Sequence, residues 1–258
     1  MINVVEYLKR IKFEEEPQCS LSTLFKLHRQ HAFNVPFENL DIYHRKYIPY
    51  NVHYFYEKLV EHRRGGFCYE TNGLFYELLT ELGFKTWFIS ASLAEVKGNF
   101  GPEYDHMALI VEHEGLWLLD VGYGDSFVEP LPISEVGRVQ TQNGKQYLIT
   151  ETEPGNYKLS QSVNGADFHD LYIFTTKARD WSEFYEMFIQ HQTSPQSKFL
   201  KKRICTLPMP GGRITLGNLR LIVTQNIQRS IVQLKSEEEF FENLKQYFNI
   251  HFPIPVKV

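Results

Sequence analysis

Residues 68–93, CYETNGLFYELLTELGFKTWFISASL, change hydrophobic period in mid-stretch. Leu74, Phe75, Leu78, Leu79 and Leu82 recur at steps of three and four, which lines up one face of an α-helix. Gly83 follows as the left-handed stop that helix C-termini favour. From Trp87 the pattern alternates, with Trp87, Ile89, Ala91 and Leu93 on one side and Phe88, Ser90 and Ser92 on the other, as in a strand. Gly73 inside the helix costs about 1 kcal/mol relative to alanine and so predicts close packing against its backbone. The chain passes here from helix to sheet.

Upstream, the readings are helical. Val4, Val5, Leu8 and Ile11 share a face, and Pro17 closes that segment. Ser20 caps a second helix carrying Leu21, Leu24, Phe25 and His28, which must end before Pro36. Val52, Phe55, Tyr56 and Leu59 mark a third, stopped by Gly65-Gly66. Downstream, strands at 106–111 and 116–121 flank Glu112-His113-Glu114-Gly115, and Asn143-Gly144 and Asn164-Gly165 are hairpin signals. Further strands surround Gly211-Gly212 and Gly217-Asn218. Asp180 with Glu183, and Ser236 with Glu239, are capping pairs that open helices before Phe184 and Phe240. Helices, then strands, then mixed elements predict an α+β fold whose strands form a barrel or sandwich.

Composition narrows the function classes. A chain of 258 residues can bury a core without metals or disulfides. A net charge of −4 gives no electrostatic footprint for nucleic acid or an anionic membrane. No apolar run approaches the ~18–20 residues of a membrane span, and MINVVEYLKR lacks the basic start of a signal peptide. Cys19, Cys68 and Cys205 are scattered and odd in number, which fits a reducing cytoplasm rather than a disulfide framework or zinc site.

Cys68 stands at the first turn of the fourth helix, where backbone N–H groups and the helix dipole favour a thiolate. Gly65-Gly66 reads as a tight turn before it, and Arg63 and Arg64 add positive charge. A small buried hydrophobe explains a lone cysteine equally well. His106 shares a strand face with Ala108 and Ile110, and Asp120 shares one with Leu116 and Leu118. Their even sum requires a hairpin loop of odd length or a bulge, which makes them opposite or diagonal neighbours. Alone, the pair reads as a core histidine and a turn aspartate. Together with Cys68 it forms a Cys-His-Asp set suited to acyl transfer. His28, His31, His53, His62 and His113 lack a strand-borne acid partner of this kind. Metal-ligand and phosphate-loop spacings are absent.

Val35-Pro36-Phe37-Glu38-Asn39-Leu40, Arg64-Gly65-Gly66-Phe67-Cys68-Tyr69-Glu70-Thr71-Asn72, Asp105-His106-Met107 and Asp120-Val121-Gly122-Tyr123-Gly124 resemble the arylamine N-acetyltransferase family, as does Thr193-Ser194-Pro195-Gln196-Ser197-Lys198-Phe199. The resemblance implies a helical bundle over 1–83, a central antiparallel β-barrel over 84–190 and an α/β lid over 191–258, around a cysteine-protease-like core. It implies ping-pong transfer of acetyl from acetyl-CoA through a Cys68 thioester to an arylamine, hydrazine or N-hydroxyarylamine. His106 is then the acid and base, and Asp120 its orienter. Phe37, Tyr123 and Phe199 match pocket aromatics, with a tyrosine where the family commonly has Phe. Gly101, Gly124 and Phe199 are expected near coenzyme A, and Lys198, Lys201, Lys202 and Arg203 are either phosphate contacts or a solvated surface run. No metal, nucleic acid or membrane enters this reading. Two alternatives stay open: a thiol amidase or transglutaminase-like hydrolase using the same triad, and a catalytically idle binding module.

Overall fold

Asn3 and Ser20 cap the first two helices with their side chains, accepting from Glu6 N at 3.2 Å and Thr23 N at 3.3 Å. The structure, a computed structural model, describes residues 2–252 apart from 164 and 227. Helix α1 (Val4–Arg10) ends well ahead of Pro17, where Lys12 turns left-handed. Helix α2 (Leu21–Asn34) stops before Pro36 as expected. A short α3 (Leu40–Tyr43) follows. Helix α4 (Val52–Tyr56) widens into a π-helical turn over Glu57–Glu61 and closes at His62, with Arg63 left-handed. Gly65-Gly66 is therefore neither its stop nor a tight turn. These glycines let two backbones touch: Gly66 bridges Phe37, and a Cβ on Gly65 would sit 2.0 Å from the Pro36 carbonyl oxygen. Helix α5 (Cys68–Glu81) then runs to Gly83, which takes φ +84° as the expected stop. Gly73 meets the Trp181 indole, for a Cβ there would lie 2.7 Å from the ring.

Strands β2 (Lys85–Leu93), β3 (His106–Glu112), β4 (Leu116–Leu119), β5 (Leu131–Pro132), β6 (Val139–Gln142), β7 (Lys145–Glu153), β8 (Asn156–Ser162) and β9 (His169–Thr175) form one antiparallel sheet. It curls into a nearly closed barrel in the order β5-β4-β3-β2-β9-β8-β7-β6. Ile89, Ala91, Ala108, Ile110, Leu118 and Tyr172 fill its interior. The alternate residues Phe88, Leu109, Val111 and Leu119 face outward into the helical core around Leu74 and Phe75. Both faces of β3 are thus buried, which explains its unbroken apolar run. Glu112 pairs with Leu116 across His113-Glu114-Gly115, a loop of the odd length that parity demands. Asn143-Gly144 forms the expected two-residue turn between β6 and β7. At the other signal, Asn164 lies outside the described residues, and the last pairing, Gln161 with His169, leaves a longer connection.

Phe37–Glu38, strand β1, belongs to a second sheet with β10 (Ile204–Met209), β11 (Gly212–Gly217), β12 (Arg220–Gln225) and β13 (Gln228–Gln233). Helix α8 (Glu237–Phe248), capped by Ser236, packs Phe240, Leu244 and Phe248 against Leu216 and Leu40. Between barrel and second sheet run the 3₁₀ turn Trp181–Phe184 with its Asp180–Glu183 capping box, α6 (Tyr185–Thr193) and α7 (Lys198–Lys201). Phe184, Phe188 and Leu200 join the helical core, so this late segment covers α5.

Candidate active site

Cys68 opens α5, and the turn that presents it is pinned from behind. The Glu70 carboxylate accepts from Phe67 N at 3.1 Å, completing a capping arrangement without a polar cap residue. Glu70 is itself held by Lys58 at 2.8 Å. Lys58 also reaches Asp41 at 3.1 Å, while Arg64 contacts Glu38 at 2.6 Å and Asp41 at 3.2 Å. The positive charge expected from Arg64 is therefore spent on these carboxylates and not on the sulfur. Burial, with the nearby Glu38 and Asp41 charges, pushes Glu70 up to about 7 against the opposing pull of Lys58.

His106 opens β3, and its Nε2 meets Asp120 Oδ2 at 2.7 Å. Both are buried. The ladder register places them as diagonal neighbours, because Leu109 pairs with Leu119 and Asp120 follows where β4 ends. Burial opposes a charge on His106, but the Asp120 charge and hydrogen bond, together with the Cys68 side chain, outweigh it and lift the imidazole to about 10. Burial likewise disfavours the Asp120 carboxylate, yet His106, Asn72 and the Gly122 amide hold it below the usual range. With Nε2 on Asp120, the other ring nitrogen is left for the sulfur.

Three supporting residues escaped the sequence reading. Asn72 lies one helical turn past Cys68; it donates to Asp120 Oδ1 at 3.0 Å and to Met107 O at 2.7 Å, and accepts from Val121 N at 2.9 Å. One side chain thus ties α5 to the strand of His106 and to Asp120. The i, i+4 spacing from Cys68 was the available signal. Gly122 lies directly on Cys68, since a Cβ there would be 2.7 Å from Cys68 Cα and 2.6 Å from Thr71 Oγ1. His28, from α2, accepts the Asp120 N–H at Nε2 over 3.1 Å. A helical histidine does reach the strand-borne acid, through its backbone.

Cys68 and His106 open into a cavity of about 1310 Å³. Phe37, Tyr123 and Phe199 line it, with the Tyr123 ring edge-on to His106 at 5.6 Å between centroids. Lys198, Lys201, Lys202, Arg203 and Arg220 line it as well. Arg203 is a structural member of this set, for it is buried, stacked 3.5 Å from the Phe240 centroid and paired with Glu237 at 2.5 and 2.7 Å. Lys198, Lys201 and Lys202 are exposed on the rim. Gly101 and Gly124 do not line the cavity. Gly101 makes room for the Asp105 carboxylate, and Gly124, at φ +90°, for the Phe37 ring. Among the described residues, no group of three or more His, Cys, Asp or Glu side chains could hold a metal ion.

A family model described as N-acetyltransferase matches residues 20–256. The chain is 31% identical to proansamycin X synthase of Amycolatopsis mediterranei, over 93% of this chain and 94% of that one. It is 28% identical to arylamine N-acetyltransferase of Mycolicibacterium smegmatis, over 95% and 90% of the two chains. Among solved structures, arylamine N-acetyltransferase of Mycobacterium marinum in complex with CoA superposes with a TM-score of 0.89 at 25% identity, covering 96% of this chain and 93% of that one. The M. smegmatis structure gives 0.90 at 27% identity, covering 97% and 93%. With the match spanning the helices, the barrel and the second sheet alike, the chain belongs to the N-acetyltransferase family.

Proposed function

We propose that this protein is an arylamine N-acetyltransferase that moves acetyl from acetyl-CoA through Cys68 to an arylamine, hydrazine or N-hydroxyarylamine. The observation that carries the reading is a cavity lined by Cys68, by the His106 that pairs with Asp120, by the aromatic rings of Phe37, Tyr123 and Phe199, and by the cations Lys198, Lys201, Lys202 and Arg220. The aromatic lining suits a flat amine, which stacks on Phe and Tyr rings. The exposed lysines of the rim suit the phosphates of the donor. A cytoplasmic location fits the free state of Cys19, Cys68 and Cys205. Among the described residues, no helix is long and apolar enough to cross a membrane.

The chemistry follows from the charges of the pair. The thiolate is the attacking form of a cysteine, and His106 faces the sulfur as the group that holds the proton. The Cys68 thiolate forms a bond to the acetyl carbon as the bond to the donor sulfur breaks, and His106 gives its proton to the departing thiolate. The neutral imidazole then accepts a proton from the attacking amine as the new C–N bond forms and the Cys68 thioester breaks. Thiolate and imidazolium are restored. Asp120 keeps the ring oriented and stabilises its charge in both half-reactions. Phe37, Tyr123 and Phe199 position the acceptor and exclude water from the thioester.

Intact-protein and peptide mass spectrometry after mixing with acetyl-CoA tests this. The expected result is one acetyl group on the Cys68 peptide that persists until an arylamine is added and then appears on the amine. Rapid release of acetate without any amine would establish the hydrolase reading instead. No acetylation, with normal folding, would remove the transfer reading altogether.

A further inference from the structure

His28 is a fully buried histidine on α2, far in sequence from the triad and outside the cavity lining. Its ring stacks on Phe127 at 5.4 Å and 9° and meets the Phe75 edge at 6.1 Å. These rings fix its plane. Its Nε2 accepts the Asp120 N–H at 3.1 Å. Because Nε2 accepts, the one proton of the neutral ring must sit on Nδ1. Nδ1 is buried without a hydrogen-bond partner among the described residues.

The contact falls at the point where the sheet stops supplying partners. The β3–β4 ladder ends with Leu109 and Leu119, and the next residue is Asp120. Its N–H is buried and needs an acceptor that no strand provides. His28 supplies that acceptor and so sets where β4 ends and where the 120–124 loop, with Gly122 on Cys68, begins. Asn72 and the Gly122 amide hold the carboxylate, whereas His28 holds the main chain from which that carboxylate hangs. We propose that His28 is a positioning residue of the acyl transfer, its neutral Nε2 anchoring the Asp120 backbone so that the carboxylate stays in line with His106. Burial keeps the ring uncharged down to about 4, against the weaker influences of the Val128 backbone and of the Asp120 charge and backbone, so the acceptor persists at working pH. The other titratable group at hand, His31, is buried as well, and burial together with Arg10 keeps it neutral.

The inference rests on the acetyl-transfer reading for its rate measurements, and a second measurement separates the two. His28→Phe keeps the stacking ring and removes the acceptor; His28→Gln restores an acceptor near the Nε2 position. In His28→Phe we expect the rate of Cys68 acetylation to fall about ten- to a hundredfold, as for a misplaced catalytic group, with donor KM within about twofold. His28→Gln should recover most of that loss. The His106 midpoint, followed by NMR of labelled histidine, should fall in the Phe variant and return in the Gln variant. A Phe variant that is only less stable, with an unchanged His106 midpoint and wild-type rate per folded molecule, overturns the proposal. So does an equal loss in Phe and Gln variants. In case His28→Phe does not fold, the unmodified protein provides the decisive reading. A through-hydrogen-bond ¹⁵N coupling between Asp120 N and His28 Nε2 supports the anchor, and a proton on His28 Nε2 refutes it. Failure of wild-type protein to take acetyl from acetyl-CoA would strike the transfer reading alone, because the NMR observables do not depend on it.

Discussion

Asp120 has its two carboxylate oxygens divided among His106, Asn72 and the Gly122 amide, so it cannot turn away from the imidazole without losing buried partners. Asp120→Asn should therefore fold yet load acetyl poorly, since an amide does not stabilise the imidazolium; a loss of up to ~10⁴-fold is the benchmark for such a change. Rapid-quench loading of Cys68, compared with the melting temperature, checks it. The pair also predicts a pH signature. His106 sits above its ordinary 6.5, so its stabilisation is full below that value and is lost as pH rises through about 10. Asp120 is depressed, so its share is present above its ordinary 3.8 and lost as pH falls through its folded midpoint. The melting-temperature gap between wild type and Asp120→Asn should be widest between these two ordinary values and shrink towards pH 10. Tyr123, proposed above for the acceptor, lines the cavity with its ring edge-on to His106. Tyr123→Phe should reorder arylamines by up to about tenfold in kcat/KM while leaving acetyl loading unchanged, the scale of one lost hydrogen bond. Measuring the two half-reactions separately decides whether the hydroxyl serves the amine.

The N-terminal turn of α5 owes its geometry to side chains that the helix does not contain. Lys58 from the π-helical turn and Glu38 and Asp41 from around β1 and α3 surround Glu70, whose carboxylate caps Phe67. A carboxylate raised to about 7 binds its proton more tightly folded than unfolded, so stability falls as pH climbs from the ordinary 4.5 to about 7 and then levels. Glu70→Gln keeps an acceptor for Phe67 N and removes the titration. Its melting temperature should lack that decline, a difference that thermal melts at closely spaced pH values would reveal. The helix itself and its stop at Gly83 were legible because they depend on local periodicity and on one left-handed residue. Gly65-Gly66 was misread because a glycine needed for close backbone approach looks, in sequence, like one needed for a turn. The π-helical turn had no local signature either; it lies where Lys58 is drawn into the buried carboxylates.

On the scale of the whole molecule, the cavity is assembled from the helical core, the barrel rim, α7 and the second sheet. Lys202 and Arg220, from different elements, both line it. Lys202→Ala combined with Arg220→Ala should raise the KM for acetyl-CoA by up to roughly thirtyfold, taking two exposed charge contacts at ~0.2–1 kcal/mol each. The KM for p-nitrophenyl acetate, which carries no phosphate, should not change; added salt should erase part of the wild-type advantage for acetyl-CoA. Steady-state kinetics with both donors gives the comparison. The sequence by itself determined the α+β order, the helix caps at Ser20 and Ser236, the need for an odd loop or a bulge after the His106 strand, and the Cys68, His106 and Asp120 set. All of these rest on short-range spacing and residue chemistry, or on a resemblance carried by contiguous motifs. Only the tertiary structure decided that Asn72 and His28 touch Asp120 and Gly122 touches Cys68, that Arg203 is bound to Glu237 while its lysine neighbours stay exposed, and that Gly101 and Gly124 lie off the cavity. The physical reason is common to all three. Each is settled by which buried polar group or ring lies within a few ångströms across the fold, and such neighbours leave no periodic trace along the chain.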